Sequence, residues 1–346
     1  MNKKVLALAL ALMFTLSLTA GCASGTASNG DGTVNTAEDD YPNDPVKILV
    51  GYSAGGSSDK LARLLQPYLK EALGTSVVVE NMPGASGQVA ATTLFRGAPD
   101  GYTILAVNSP GIYYTIAMQD AKYAAEDLYP LWVESRDPIV FLALKDSPWN
   151  SLKDFIEACK AEPGKYAVGV ASGGGQQSVA LWLKKNLDLN FNLVTFDGGG
   201  PTSAALLGSQ VDAIFGDAYA RADLVDEAKC LGVASVQVNS VWPDGVPFKD
   251  QLAEYNIALP EDEFQSRYGA YWVKKEFAEK YPERYEKLLS AFEVVAKNEK
   301  YINTLKEAGL YDSMVLKDGK EYEDDFAKSF EVVKTDIAPL FTNQKK

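Results

Sequence analysis

The chain contains no histidine among its 346 residues, and only three cysteines. Its 33 Lys+Arg fall short of its 46 Asp+Glu, for a formal net charge of −13. Each shortage excludes some chemistry. Without histidine there is no Ser-His-Asp or Cys-His nucleophile pair and no His-ligated zinc or iron site. Three cysteines cannot build a four-thiolate zinc site. No metal and no cofactor are therefore expected. The acid excess argues against a nucleic-acid partner, which would need a basic face. The rest is ordinary for a globular protein: 47% apolar residues, 28 Gly and 16 Pro. The length suits two domains of roughly 100–200 residues each.

The N-terminus reads as an export signal. Lys3 and Lys4 precede an apolar run from Val5 to Leu18. At about fourteen residues the run is short for a membrane span of about 20, and it suits a signal-peptide core. It ends in Leu18-Thr19-Ala20-Gly21-Cys22, which resembles a bacterial lipobox, with Thr19 where Leu is usual. Residues 1–21 are thus expected to be a lipoprotein signal peptide and Cys22 the lipidated residue. The alternative is an ordinary signal peptide with an incidental Cys22. Residues 22–44 carry no Lys or Arg and are rich in Ser, Thr, Gly, Asn and Asp. That composition is a flexible tether. The expected location is extracytoplasmic, anchored by lipid to a bacterial membrane. Without the signal the count is 31 basic to 46 acidic residues, net −15, and without the tether's five acids the folded part is net −10. Export leaves two options open for Cys159 and Cys230, a disulfide or two buried thiols.

The body alternates strand and helix patterns. Val46–Val50 is a β-branched run followed by a glycine loop, then by an apolar helical face on Leu61, Leu64, Leu65, Tyr68 and Leu69 that stops at Gly74. Pro67 lies inside that pattern and predicts a kink. Ser76–Glu80, a helix from Gln88 to Phe95 and the strand Tyr102–Val107 complete a β-α-β-α-β unit, for which parallel pairing with right-handed crossovers is expected. The rhythm restarts. Strands are expected at Ile139–Leu144, Tyr166–Val170, Leu193–Phe196, Ala213–Phe215 and Leu231–Ser235. Helices are expected at Ser151–Lys160, Ser178–Asn186, Thr202–Leu207 and Ala220–Ala228. Apolar positions from Tyr285 to Ala296 predict a helical C-terminal part. The fold class is therefore α/β, with mostly parallel sheets in two similar units. Domain 1 is expected to comprise 45–134 plus 236–346, and domain 2 to comprise 135–235. The chain would cross between them near Trp132–Pro138 and return near 235–238.

The glycine loops are the best candidates for a site. Tyr52-Ser53-Ala54-Gly55-Gly56-Ser57-Ser58-Asp59 leaves a strand and enters a helix, where free N–H groups and the helix dipole favour an anion. No Gly-Lys-Ser/Thr or GxGxxG pattern is present, so nucleotide binding is disfavoured. Ala171-Ser172-Gly173-Gly174-Gly175-Gln176-Gln177-Ser178 has the same context in the second unit. Asp197-Gly198-Gly199-Gly200-Pro201 follows another strand. Ligands of open α/β sheets bind outside the carboxyl ends of strands, so two facing loops suggest a clamp on a small anion. Asn108 and Ser109 end a strand and Asp217 follows one; these are weaker candidates, with a turn before Pro110 and a solvated loop acid or helix cap as the plain alternatives.

Three segments in fixed order carry a family resemblance: Tyr52 to Asp59, Val79-Glu80-Asn81-Met82-Pro83-Gly84-Ala85-Ser86-Gly87, and Pro99-Asp100-Gly101-Tyr102-Thr103. They resemble the substrate-binding proteins of tripartite tricarboxylate transporters, the Bug receptors. The likeness continues through Ser172–Gly175, Gly198–Pro201 and Leu207–Asp212, and fades after about Val246, with Arg267-Tyr268-Gly269 a weak echo. The resemblance implies a two-domain periplasmic-binding-protein, or Venus flytrap, architecture. It implies a monomeric receptor that hands a small carboxylate to membrane transporter subunits. It assigns ligand contact to Tyr52, Ser53, Ala54, Gly55, Gly56 and Ser57, and to Ser172, Gly173, Gly174, Gly175 and Gln176, largely through backbone amides. Asp59 is expected to order its loop, because a carboxylate would repel an anion. The chain departs from the family pattern where Gln176 replaces a frequent Ser, Val179 a frequent His and Asp197 a common Lys. A ligand with an ammonium group, meeting Asp197 or Asp217, is then an alternative to the usual dicarboxylate.

Binding without catalysis is the leading expectation. Two others stay open: a same-fold receptor for an amino acid or aromatic acid serving another transporter or a sensor, and an exported hydrolase working with two carboxylates across a cleft.

Overall fold

The computed structural model of the protein describes residues 40–234, 239–260 and 266–342. The expected signal peptide, Cys22 and nearly all of the expected tether lie outside the described residues, as does the expected return crossing at 235–238. Residues 41–346 form one compact unit.

Along the chain the first elements are β1 (Val46–Val50), α1 (Ser57–Leu73), β2 (Val77–Asn81), α2 (Gln88–Arg96), β3 (Thr103–Ser109) and α3 (Gly111–Met118). Then come β4 (Leu128–Leu144), α4 (Leu152–Ala161), β5 (Ala167–Ala171), α5 (Gly175–Asn186), β6 (Asn192–Phe196), α6 (Gly199–Leu207), β7 (Ala213–Asp217) and β8 (Ala228–Val233). The last are α7 (Phe248–Leu252), β9 (Ser266–Lys274), α8 (Lys275–Lys280), α9 (Pro282–Ala296), α10 (Glu299–Glu307), β10 (Met314–Asp318), α11 (Glu323–Val332) and α12 (Ala338–Thr342).

Two parallel β-α units flank an antiparallel centre. β1 pairs in parallel with β2 and β3, and β5 in parallel with β6 and β7. The order across the sheet is β2-β1-β3-β9-β4-β7-β5-β6, with β8 and β10 also paired to β4. The 17-residue β4 is the spine. Its first part, to Pro138, lies antiparallel to β9, and from Ile139 it lies antiparallel to β7. The expected crossing at Trp132–Pro138 is thus one continuous extended strand. Its residues pass from one unit's sheet to the other's between Pro138 and Ile139.

Burial follows the apolar pattern. Val46, Ile48 and Val50 of β1 pack with Leu61, Leu65 and Leu69 of α1 and with Leu288 and Phe292 of α9. A larger cluster joins Leu105, Val133, Phe141, Val168, Phe215 and Trp272, so it draws on both units. α1 runs unbroken past Pro67 and ends at Gly74, whose φ of 69° is left-handed and whose N–H reaches Lys70 O. Placing the non-donating Pro67 mid-helix costs one backbone bond; the apolar face on both sides of it is still buried.

Two further expectations are corrected. The helix expected over Ala220–Ala228 is a 3₁₀ turn at Tyr219–Leu224, and Ala228 opens β8. Alanine-rich helix propensity loses there to pairing of β8 with β4. α5 begins at Gly175, three residues earlier than the expected Ser178. Cys159 and Cys230 are both free thiols. Among the described residues no helix is long and apolar enough to cross a membrane.

Candidate functional site

The carboxyl ends of β1, β3, β5 and β7 and the start of β9 converge near the middle of β4. Register brings the side chains together: Asn108 of β3 is paired with Gly269, Arg267 of β9 with Asp137 of β4, and Asp217 of β7 with Ile139 of β4.

The first loop is wired to its own helix. Asp59 is buried, with Oδ2 accepting the Gly55 N–H at 2.8 Å and Oδ1 accepting Nε–H of Arg63 at 2.8 Å. Burial works against its charge, but the Gly55 amide, Asn81 and Arg63 together hold the carboxyl below its usual value. Asn81 also donates to Tyr52 O at 3.1 Å, closing the loop onto β2. The loop-ordering role expected for Asp59 is what these bonds describe. The Gly56 amide bonds to Ser53 O. The amides of Gly55 and Gly56 are therefore already used. The donors left by helix geometry are those of the first turn, Ser57 to Asp59. Gly55 has φ 80°, a left-handed conformation that favours glycine. Ser53 and Ala54 are exposed at the loop tip.

Tyr52 points inward. Its hydroxyl oxygen accepts the Asn108 N–H at 3.2 Å, and burial raises its ionisation above the ordinary value. Ser109 is buried at the end of β3.

The second loop is wired differently. The Ser172 amide bonds to Phe196 O, and the Gly173 amide to Oε1 of Gln177 at 2.8 Å. Those two expected donors are thus occupied. Gly173 has φ 69°, and a Cβ there would collide with Oγ of Ser86. The turn after β2 and the loop after β5 are therefore in contact, one from each unit. Gln176 donates through Nε2 to Oδ1 of Asp217 at 2.6 Å. Asp197 is exposed at the third glycine turn.

Arg267 connects the two loops. Its Nη1 donates to Oδ1 of Asn108 at 3.2 Å, an oxygen that also accepts Oγ–H of Ser58 at 3.2 Å. Its Nε lies 3.3 Å from Oδ2 of Asp217, and its Nη2 lies 3.5 Å from Oδ2 of Asp137. A polar chain thus runs from Ser58 in the first turn of α1 through Asn108, Arg267 and Asp217 to Gln176 in the first turn of α5. Burial opposes the guanidinium charge, but Asp217 and Asp137 outweigh it and hold Arg267 above its ordinary value. Burial raises both acids, with Arg267 and Arg221 pulling Asp217 the other way, and Asp137 reaches about 6. Asp137 is further fixed by the N–H groups of Tyr219 and Ala220. Arg221 braces the third glycine turn, donating to Gly199 O and to Oγ of Ser203.

Sequence reasoning singles out Asn108, Gln176 and Asp217 but misses Arg267, Asp137 and Arg221 as site residues. The available signal is Arg136-Asp137-Pro138, which interrupts an apolar run, and a lone Arg beside Tyr268-Gly269. Asp137 and Asp217 both lean on one arginine, and Asp137 is committed to two amides. This is not the pair of facing carboxylates that a hydrolase would need. Among the described residues no group of three or more His, Cys, Asp or Glu is placed to hold a metal.

Comparison with known proteins fits this geometry. Residues 61–261 match the profile of the tripartite tricarboxylate transporter family receptors. A UPF0065 protein of Bordetella pertussis is 30% identical over 228 residues, 64% of this chain and 70% of that protein. The periplasmic binding protein BugD superposes with a TM-score of 0.70 at 23% identity, over 88% of this chain and 99% of its own. MatC from Rhodopseudomonas palustris, solved with bound malate, superposes with a TM-score of 0.69 at 21% identity, over 86% of this chain and all of its own. These likenesses establish the periplasmic-binding-protein fold, and the family is one of receptors rather than enzymes. The chain belongs to the tripartite tricarboxylate transporter receptor family, a family of extracytoplasmic solute-binding proteins.

Proposed function

We propose that the protein is a lipid-anchored receptor that captures one small carboxylate-bearing solute between its two units and presents it to a tripartite membrane transporter. The observation that supports this most is the polar chain from Ser58 to Gln176, which joins the first turns of two helices through a buried arginine. A carboxylate inserted there would meet first-turn amides from both sides. Residues 45–134 plus 236–346 would form one domain and 135–235 the other, moving about β4 and β9. The contact of Gly173 with Ser86 would then close the site, with the solute admitted when the domains part and gripped when they close. The malate bound by MatC fits a carboxylate role for this fold. Cys22 would carry the lipid, residues 22–44 would hold the monomeric receptor off the membrane, and the transporter subunits would read the closed form.

The test is a thermal-shift and calorimetric screen of the mature chain against mono-, di- and amino-carboxylates. Saturable binding of at least one class, lost in Asn108→Ala and Gly174→Val, is the expected result. No binding to any carboxylate would overturn the reading. Radiolabelled palmitate should enter the full-length protein in a bacterial host and be lost in Cys22→Ala.

A further inference from the structure

We propose that Arg267 and Asp217 act as a charge-reading pair that selects a zwitterionic head group, an amino-carboxylate, over a dicarboxylate. This deepens the receptor reading and rests on it.

The argument starts from the charges that face the site. Arg267 is the cation of the polar chain, and its side chain is 13% exposed. Two carboxylates lie against it, Asp217 at 3.3 Å and Asp137 at 3.5 Å. Arg221 also acts on Asp217; its Nη1 donates to Gly199 O and Ser203 Oγ and its Nε is buried without a hydrogen-bond partner, whereas Arg267 is the guanidinium that also reaches Asn108. A dicarboxylate would bring two further negative charges to a place where buried acids already outnumber the central guanidinium. Like charges in a low-dielectric site repel strongly. A zwitterion brings no net charge, and its two poles match the two side chains.

The hydrogen-bond inventory points the same way. Nε of Arg267 is buried and has no hydrogen-bond acceptor, although Oδ2 of Asp217 is only 3.3 Å away. The pair is close enough to attract but not aligned to share the proton. A ligand carboxylate aligned with Nε would complete the guanidinium fork. Asp217 has one oxygen taken by Gln176 and the other turned to Arg267. If the second oxygen turns to a ligand ammonium, the exchange conserves its partners. Asp137 cannot serve in this role, because both its oxygens are held by backbone amides. Asp217 sits at the carboxyl end of β7, where solutes approach an α/β sheet.

The second loop supplies no further cation. Val179 is fully buried, and Gln176 is committed to Asp217, so neither adds a cation to balance a second ligand carboxylate. Asp217 is then the element that discriminates, by attracting the ammonium and repelling a second carboxylate in the same space.

The experiment is isothermal titration of the mature chain with the standard L-amino acids other than the dicarboxylic aspartate and glutamate, and with the matched C4 set L-2-aminobutyrate, butyrate and succinate, plus malate and adipate. At least one amino acid should bind ten-fold or more tightly than any dicarboxylate. Asp217→Asn should weaken that amino acid at least ten-fold and tighten succinate or malate. Arg267→Lys should weaken both classes. Circular dichroism and thermal unfolding of each variant separate loss of fold from loss of binding. Should Asp217→Asn unfold, Gln176→Ala, which frees Asp217 from its fixed partner, should still shift the ratio of amino-acid to dicarboxylate affinity. Tighter binding of succinate, malate or adipate than of every amino acid, with an unchanged ratio in Asp217→Asn, would overturn the selector while leaving the receptor reading intact. Failure of every compound to bind would overturn both.

Discussion

The loop of residues 51–59 and the loop of residues 171–178 both carry a strand into a helix through glycines, yet they are held in place by different means. In the first, the acid is local: Asp59 is four residues from Gly55 and four from Arg63, and it bonds to both. In the second, the acid comes from another strand. Asp217 is 41 residues from Gln176, and its counter-charge, Arg267, comes from the central strand β9. The charges of the first loop are balanced within the loop and α1, with Asn81 of β2 and Asn108 of β3 adding only neutral bonds. The second is complete only when β4, β7 and β9 are assembled. A loop whose charges are neutralised locally is a passive cradle. A loop whose charge balance depends on the junction between units can report on what lies there.

This contrast can be broken by mutation, most severely at Arg267. Arg267→Met leaves Asp217 and Asp137 buried without their cation, and should destabilise the protein by about 3–5 kcal/mol in urea unfolding. A cost under ~1 kcal/mol would show that the second loop does not depend on β9. Next in size is a third buried acid, Glu134 on β4, which accepts bonds from the hydroxyls of Tyr271 and Tyr301 at 3.0 Å each. Burial pushes its carboxyl up to about 7, against the two tyrosine bonds and the pull of Arg267. A carboxyl raised on folding adds stability that is full below its ordinary value near 4.5 and is lost as pH rises through about 7. Glu134→Gln lacks that pH dependence. Relative to wild type it should gain on the order of 2–3 kcal/mol between about pH 4.5 and about pH 8, measured by urea unfolding at both values. A difference that does not vary with pH would contradict the burial argument.

The first loop should be cheaper to disturb. Asp59→Ala removes the acceptor of the Gly55 amide and the partner of the half-exposed Arg63, for a cost of about 1–2 kcal/mol. Amide exchange confined to residues 52–58 should rise with it, while exchange at 172–177 stays unchanged. Smallest is a pair of alanines. Gly55→Ala is strained by its φ of 80° and should cost ~1 kcal/mol. Gly174→Ala would press only on Oε1 at the end of the Gln176 side chain, with no left-handed φ to strain, and should cost about 0.5 kcal/mol. Equal costs at the two glycines would mean that the loops are constrained alike.

The same contrast explains what is legible in the sequence. Local features are readable: the glycine loops, the β-branched strands β1 and β2, the apolar face of α1, and Asp59 as an ordering residue four positions from its partners. The features that depend on distant pairing are not. β9 carries aromatic and β-branched residues, but it follows a long stretch without clear periodicity and pairs with β4, whose residues lie about 130 positions earlier in the chain. Its Arg267 gains meaning only from its register opposite Asp137. The turn at Tyr219–Leu224 reads as a helix because its alanines favour one. Asp137, from β4, instead captures the amides of Tyr219 and Ala220 and holds the turn tight. The parallel pairs at the two ends of the sheet follow from the β-α rhythm, whereas the antiparallel centre that joins them has no local signal.

The central claim is that one solute is held by both loops at once. Hydrogen–deuterium exchange of the mature chain, with and without the compound giving the largest thermal shift, tests it most directly. The account predicts joint protection of residues 53–59 and 172–177, with the same midpoint as a function of ligand concentration. Protection confined to one loop, or absent from both while the compound is bound, would contradict it.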